Sequence, residues 1–412
     1  MSYTVLLPKT DNSPAKVKDA GVVEMVKAGL AVYNAKSSSL LFLPEGTREL
    51  DGAAARLADN LFEGAGIQPL DCGGDEAIFS VADRYAREWG DAARAFSDKR
   101  GRSIRLLGWE PDAEAARAKT KLIMSAIENA LREHAGKFSF IEEIAADGAR
   151  SFLLTAKGGQ SDMGARAAFE CASCGRKFLP DSPAEFNAPQ PGANEAEEPI
   201  EDVETPGANT IAELCRQLGI DVPRTIKAML YIALDEASKP RPVAAFLRGD
   251  YSVSMNKLRR MIETRFGFTG LRTADKAELY QMIGEVAGFC GPVGLPDNVT
   301  VVCDASARGA KNTVAGANRP GYHRKGCCHG RDFDPPMGDI AQITESIACP
   351  CGGALSQIYL RECGAVRFDA VSHAAGTTRR KLSYRDRDGS RDFTGEWDGN
   401  IFIDRILLAA HG

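Results

Sequence analysis

Between Thr205 and Pro335 the spacing of apolar positions changes repeatedly, and each change leaves a polar or glycine-rich tip. In TPGANTIAELCRQLGI, apolar Ile211, Leu214, Leu218 and Ile220 follow the cap candidates Asn209 and Thr210, which predicts an amphipathic helix ending near Gly219. Pro223 starts a further helix or strand. RTIKAMLYIAL reads as helix turning into strand, with Lys227 on the helical part, and RPVAAFLRGD as a second strand whose end presents Arg248 and Asp250. Charges at strand ends point into clefts more often than into cores. The loop Gly291-Pro292-Val293-Gly294-Leu295-Pro296 holds two glycines and two prolines, so it is stiff yet lets a ligand approach its backbone. Its exposed N–H groups suit a carbonyl oxygen or a developing oxyanion. Asp304, and Gly316-Ala317-Asn318 ahead of His323, complete a set of separated tips of the kind from which an α/β domain builds one pocket.

A chain of 412 residues, 44% of them hydrophobic, can bury at least two cores, and strand runs alternating with helical patterns imply an α/β (α+β) fold. No apolar stretch approaches the roughly 20 residues needed to cross a bilayer. The start MSYTVLLPKTD lacks a basic segment before a long apolar core, so no membrane partner and a cytoplasmic location are expected. A net charge of −5 argues against a general polyanion coat but leaves local nucleic-acid contacts open, since these depend on where the cations lie. Clusters stand at Lys257, Arg259 and Arg260, at Arg324 and Lys325, and at Arg379, Arg380 and Lys381. The middle cluster follows His323 and is placed to meet phosphates; the plainer reading of all three is solvated faces. The Glu/Pro-rich segment Pro180–Gly207 lacks apolar periodicity and reads as an acidic linker, with a second crossing near Ile340–Ala348.

Eleven cysteines without a secretion signal point to thiols or metal rather than to a disulfide framework. Cys171-x-x-Cys174 and Cys349-x-Cys351 flank the central stretch, each followed by glycine, as in turns that aim two sulfurs at one ion. Four thiolates would make a closed tetrahedral zinc site. The second pair is one residue shorter than the familiar CPxCGG form, and reduced thiols without metal remain the alternative. Cys327-Cys328-His329 is expected to be structural.

In order and at similar spacing, TPGANTIAELCRQLGIDVPRTIKAMLY, FLRGD, GFCGPVGLP, VVCDAS, NTVAGAN, GYH and GRDF resemble the editing insertion of bacterial-type prolyl-tRNA synthetases, a fold also found in free-standing proteins that hydrolyse mischarged aminoacyl-tRNA. The likeness covers about residues 200–345. It implies that Lys227 contacts the tRNA end, that Gly291, Pro292, Val293, Gly294, Leu295 and Pro296 line the aminoacyl pocket, and that His323 helps to select the amino acid. Residues 21–72, Gly158-Gly159-Gln160-Ser161 with Phe169–Gly175, Cys349–Gly353 and the final helix Ile403–Ala410 are similar, in eroded form, to the class II body of the same synthetases. The expected layout is a degenerate class II antiparallel-sheet body over 1–179 and 344–412, the linker over 180–207, and an inserted editing domain over 208–343. A dimer through the body is one expectation, and a synthetase is a second partner to consider beside the acceptor end of aminoacyl-tRNA.

Departures in the body shape the expected function. Amino acid activation needs a Phe-Arg-x-Glu segment to hold the α-phosphate, and none lies between Asp71 and Phe152. GNIFIDR keeps Arg405 but puts Phe402 where the third class II motif has a glycine, and the anticodon-binding domain is expected to be missing after Gly412. An aminoacyl ester is already activated, so its cleavage requires an oriented water, a stabilised oxyanion and exclusion of the correct amino acid, with no cofactor for catalysis. The expectation is a trans-editing deacylase. The ribose hydroxyl helps to activate water, loop N–H groups face the carbonyl, Lys227 holds the terminal adenosine or its phosphate, and His323, Asn318 and Asp304 shape the pocket beside Arg248 and Asp250. Quieter readings stand beside these: Lys227 on a surface helix, His323 bonded without a ligand, Asp304 and Asp332 capping turns, and Arg405 as a remnant. A tRNA- or synthetase-binding module without chemistry and an amino acid ligase are the rival functions.

Overall fold

The computed structural model describes residues 17–34, 39–70, 94–97, 103–144, 150–183, 190–285, 289–370, 383–386, 389–392 and 394–412. The basic triplet Arg379, Arg380 and Lys381 and residues 184–189 of the acidic stretch lie outside them. The chain divides into two compact units, one built from the residues up to 144 with 148–168 and 358–412, the other centred on 169–357.

In the first unit, antiparallel pairing sets the strands Ser103–Glu110, Gly395–Phe402, Leu355–Ala370, Arg150–Gly158 and Phe138–Ile144 side by side in that order. Helix Pro44–Ala65 starts on a proline at its first position, where the missing N–H costs nothing, and ends on Gly66 in the left-handed conformation. It is followed by strand Gln68–Leu70, which contains Pro69. Leu50, Leu57 and Leu61 fall on one face of that helix, and with Ile123 and Ile127 of helix Ala113–Ala130 they bury the sheet side chains Ile104, Leu106, Trp397 and Ile401. Gly108 is required beneath the indole, because a Cβ there would stand 2.3 Å from Trp397. Arg361 is 2% exposed and donates through Nη2 to Asp19 at 2.6 Å and to Asp162 at 3.2 Å. Arg405 donates to the Glu362 carbonyl and lies over the Phe402 ring, so it serves local packing.

The second unit holds the motif-bearing stretch. Its elements are β1 (Glu201–Glu204), α1 (Ile211–Leu218), β2 (Ile226–Leu234), β3 (Pro240–Arg248), α2 (Met255–Phe266), β4 (Gly270–Thr273), α3 (Lys276–Ile283), β5 (Thr300–Asp304), β6 (Thr313–Gly316), β7 (Tyr322–Cys327) and β8 (Met337–Gly338). One mixed sheet runs β4-β2-β3-β5-β8, and a smaller one runs β1-β7-β6. Helix α1 forms as its sequence predicts: Thr210 Oγ1 accepts the Glu213 N–H, the Glu213 carboxylate accepts the Thr210 N–H, and Gly219 closes the helix at φ 63°.

Two expectations change. RTIKAMLYIAL is strand, not helix turning into strand, with Lys227 paired to Leu247 of β3. Both faces of β2 are covered along most of its length, Met229 being exposed: Ile226, Ala228 and Leu230 pack with Phe246 and Cys303, while Tyr231 and Ala233 pack with Leu258 and Ile262 of α2. A strand buried on both faces shows a continuous apolar run, which periodicity cannot separate from a helix. The acidic stretch is also partly built in, since Glu201–Glu204 pairs with β7, Glu195 binds Arg224 and the Pro191 carbonyl accepts the Lys311 N–H. The compact unit is therefore wider at both ends than the 208–343 expected. No helix among the described residues is long and apolar enough to cross a membrane.

Candidate functional site

Thr225 makes an isolated parallel bridge to Val314, which brings the start of β2 beside β6. Gly316 is the antiparallel partner of His323, whose other neighbour is Val203 of β1. Gly316 and His323 thus stand in one row across β6 and β7, and Lys227 lies two residues past the Thr225 bridge on β2.

Lys227 is half-buried and donates through Nζ to the Gly249 carbonyl at 2.9 Å. Burial pulls its ammonium below the ordinary lysine value, against the opposing charge of Asp250. Gly249 is sterically fixed, because a Cβ there would lie 1.9 Å from Thr225 Oγ1. Arg248 and Asp250, expected to bind substrate, are engaged with each other. The guanidinium donates to both carboxylate oxygens at 2.7 and 2.8 Å and lies over the Tyr251 ring at 4.1 Å. That fork rigidifies the turn that offers Lys227 its carbonyl.

His323 is half-buried, and burial lowers its pKa from the usual histidine value. Its Nδ1 lies 2.6 Å from the hydroxyl of Thr205, a residue 1% exposed that the sequence reading did not single out. In sequence that threonine only opens a Thr-Pro-Gly stop, and nothing local marks it as a partner for a histidine 118 positions away.

The Gly291–Pro296 loop is pinned against Gly316. A Cβ at Gly291 would lie 1.7 Å from the Gly316 carbonyl oxygen, so only glycine permits this approach. Asn318, in the left-handed region at φ 56°, accepts the Gly291 N–H through Oδ1 at 2.8 Å and donates through Nδ2 to the Val293 carbonyl at 2.7 Å. Asn318 is thereby a clamp on the loop, where a substrate contact was expected. The Gly291 N–H is committed and Pro292 has none, which leaves Val293, Gly294 and Leu295 as the loop's N–H groups without a partner among the described residues. Gly294 takes φ 82° with open space around it, while Val293 and Leu295 pack on the core.

Several charged candidates serve the fold. Asp304 is fully buried: Oδ1 accepts the Ser306 N–H, and Oδ2 accepts those of Ile340 and Ala341, each at 2.8 Å. It caps turns and does not line the row. Arg324 forks onto Asp202 and donates to the Val293 carbonyl at 3.1 Å, so it is not a free phosphate ligand. Lys257 is 4% exposed and bound to Asp339 and the Ala341 carbonyl, which removes it from any surface patch. Asp332 is held by Arg331 and accepts the Cys328 N–H. Cys327 and Cys328 are buried, burial pushes the Cys327 thiol up to about 12, and the His329 ring packs edge-on against Phe333.

Elsewhere in this unit Cys171, Cys174, Cys349 and Cys351 converge, their sulfurs all within 4.8 Å of one another. Cys171 and Cys351 are 3.5 Å apart and Cys174 and Cys349 3.7 Å, close to the ~3.8 Å edge of a tetrahedron with metal–sulfur bonds of about 2.3 Å. The Cys174 amide leads in holding the Cys171 thiol down to about 6, and a Cβ at Gly353 would lie 2.6 Å from its sulfur. The donor set, spacing and glycine cradle fit a metal ion. No cofactor for catalysis is indicated.

Residues 205–326 match the family model of the aminoacyl-tRNA editing domain. Proline–tRNA ligases are similar over longer stretches. That of Acidobacterium capsulatum is 32% identical over 265 residues, 61% of this chain and 44% of the relative. That of Methylobacillus flagellatus is 31% identical over 230 residues, 55% and 39% respectively. That of Streptococcus mutans is 38% identical over 155 residues, 38% and 24% respectively. The chain is prolyl-tRNA synthetase-like and carries an aminoacyl-tRNA editing domain. It spans less than half the length of these curated relatives. A solved protein described as a candidate trans-editing enzyme for prolyl tRNA synthetase shares 18% identity, covering 34% of this chain and 86% of that one, at a TM-score of 0.29, too low to bear on the argument. Lys227, Gly316, His323 and the pinned loop all lie within the matched residues.

Proposed function

We propose that this protein is a trans-acting aminoacyl-tRNA deacylase that hydrolyses the ester of a mischarged tRNA carrying a small amino acid, on a proline acceptor or a related tRNA. The observation that carries this reading is the Gly316–His323 strand pair near the start of β2, which bears Lys227, with a loop fixed against Gly316 that has three N–H groups without a partner among the described residues. The ester needs no strong nucleophile. N–H groups of Val293, Gly294 and Leu295 stabilise the oxyanion, Lys227 meets the terminal adenosine or its phosphate, and His323 borders the amino acid side. Water attack is assisted by the neighbouring ribose hydroxyl. Discrimination between small side chains is worth about 1–3 kcal/mol per methylene or hydroxyl, so pocket shape sets the substrate range.

The same reading assigns the acceptor end of aminoacyl-tRNA as partner in the cytoplasm, with a synthetase as a second partner and pairing of two copies through the synthetase-like body. It assigns no ligase activity, since the Phe-Arg-x-Glu segment is absent from the sequence between Asp71 and Phe152. It also assigns structural zinc to Cys171, Cys174, Cys349 and Cys351, where the ion would cross-link two turns and take no part in ester cleavage. The test is a panel of mischarged tRNAs offered to the purified protein. Turnover of at least one, lost in Lys227→Ala, is expected; wild-type turnover by Lys227→Ala refutes the role of the lysine, and tRNA binding without any turnover refutes the deacylase.

A further inference from the structure

The geometry around His323 points to a residue beyond the row itself. The Thr205 N–H already donates to the Gly321 carbonyl at 2.8 Å, whereas the Thr205 hydroxyl stands 3.4 Å from that same oxygen and 2.6 Å from His323 Nδ1. A hydroxyl has one proton to give, and of these two contacts the shorter, to Nδ1, is the better hydrogen bond whenever that nitrogen carries no proton. We propose that Thr205 is a positioning residue for His323: its hydroxyl donates to Nδ1, fixes the neutral ring as the Nε2–H tautomer, and makes the histidine a hydrogen-bond donor to the bound aminoacyl ester.

Three further observations support this. His323 Nε2 has no hydrogen-bond partner among the described residues and is not among the side-chain atoms sealed from solvent. Among the described residues the ring's one side-chain hydrogen-bond partner is a neutral hydroxyl, and no carboxylate there pairs with it to hold an imidazolium. Thr205 is itself fixed, at 1% exposure, by its own N–H and by the Ala208 N–H donated to its carbonyl, so its hydroxyl is pre-aimed. Thr205 ends the segment that begins with β1, so the stretch entering the domain supplies part of the site. The ester as ligand rests on the deacylase reading; the tautomer does not.

The experiment is 15N NMR of the full chain labelled at histidine, with His323→Gln assigning the signals among the five histidines. A pyridine-type Nδ1 and a pyrrole-type Nε2 are expected in the wild type and in Thr205→Ser. Thr205→Val, which keeps the shape but lacks the hydroxyl, is expected to show a mixture of tautomers. In deacylation, Thr205→Val should lower kcat about tenfold, the effect of one lost hydrogen bond, with recovery in Thr205→Ser. A wild-type ring protonated at Nδ1 overturns the proposal whether or not any variant folds, as does an unchanged tautomer in folded Thr205→Val. If the wild type turns over no aminoacyl-tRNA, the deacylase reading falls while the tautomer still decides the role of Thr205.

Discussion

Replacing Asn318 isolates what the loop clamp contributes. Its side chain makes two part-buried hydrogen bonds, from the Gly291 N–H at 2.8 Å and to the Val293 carbonyl at 2.7 Å, while its backbone sits at φ 56°. Asn318→Ala removes both bonds, at about 1 kcal/mol each, and forces alanine into a left-handed conformation that asparagine tolerates better, at about 1 kcal/mol more. The sum is about 3 kcal/mol against the pinned loop. Hydrogen exchange at the Gly291 N–H reads this directly, because 1.4 kcal/mol is tenfold and exchange there through local opening should therefore speed up on the order of 100-fold. Asn318→Asp separates the two bonds. The carboxylate still accepts the Gly291 N–H, but its second oxygen faces the Val293 carbonyl with no proton between them, so the Gly291 N–H stays better protected than in Asn318→Ala while the Val293 tether is lost. Deacylation should fall with loop protection in both variants. Exchange within threefold of wild type in Asn318→Ala would refute the clamp.

Three further outcomes can be checked independently. Gly291→Ala should destabilise its unit by about 1–3 kcal/mol or more, because its Cβ meets the Gly316 carbonyl at 1.7 Å, whereas Gly294→Ala has open space and bears only left-handed strain of about 1–2 kcal/mol; equal thermal shifts by circular dichroism would contradict this. Arg361→Met leaves Asp19 and Asp162 buried without their cation and should cost about 3–5 kcal/mol. Denaturant unfolding followed by Trp109 and Trp397, both in that unit, measures the loss, and an unchanged midpoint would show that the ion pairs contribute nothing. Elemental analysis should find about one zinc per chain, lost in Cys351→Ser; a wild-type protein purified without chelator that holds no metal above background would remove the zinc assignment.

Local chemistry was the legible part of the fold. Thr210, Glu213 and Gly219 spell a capped helix that forms as written, because caps are satisfied within four residues and need no tertiary help. RTIKAMLYIAL was misread because its apolar run is set by two buried faces, and both covering layers come from residues distant in sequence. The acidic Glu201–Glu204 segment was hidden more deeply. A strand that is mostly exposed and pairs along one edge has no core-facing stripe to reveal it, and its partner β7 lies more than a hundred residues away.

At the candidate site the sequence names tips without showing what each charge does there, and Asp304 turns inward to cap turns instead of joining the others. A charged side chain beside a low-dielectric wall must be neutralised or bonded, and the nearest cheap partner is another tip. Arg248 therefore takes Asp250, Arg324 takes Asp202, Lys257 takes Asp339, and Asp304 takes three backbone N–H groups. Lys227 and His323 differ in kind. Each is half-buried, each is bonded to a neutral oxygen, the Gly249 carbonyl or the Thr205 hydroxyl, and burial lowers the pKa of both. A side chain held by one neutral contact keeps donor capacity that a paired ion has already spent, since lysine has three N–H groups and the ring has a second nitrogen. That residual capacity, rather than charge or exposure, separates these two residues from the framework around them.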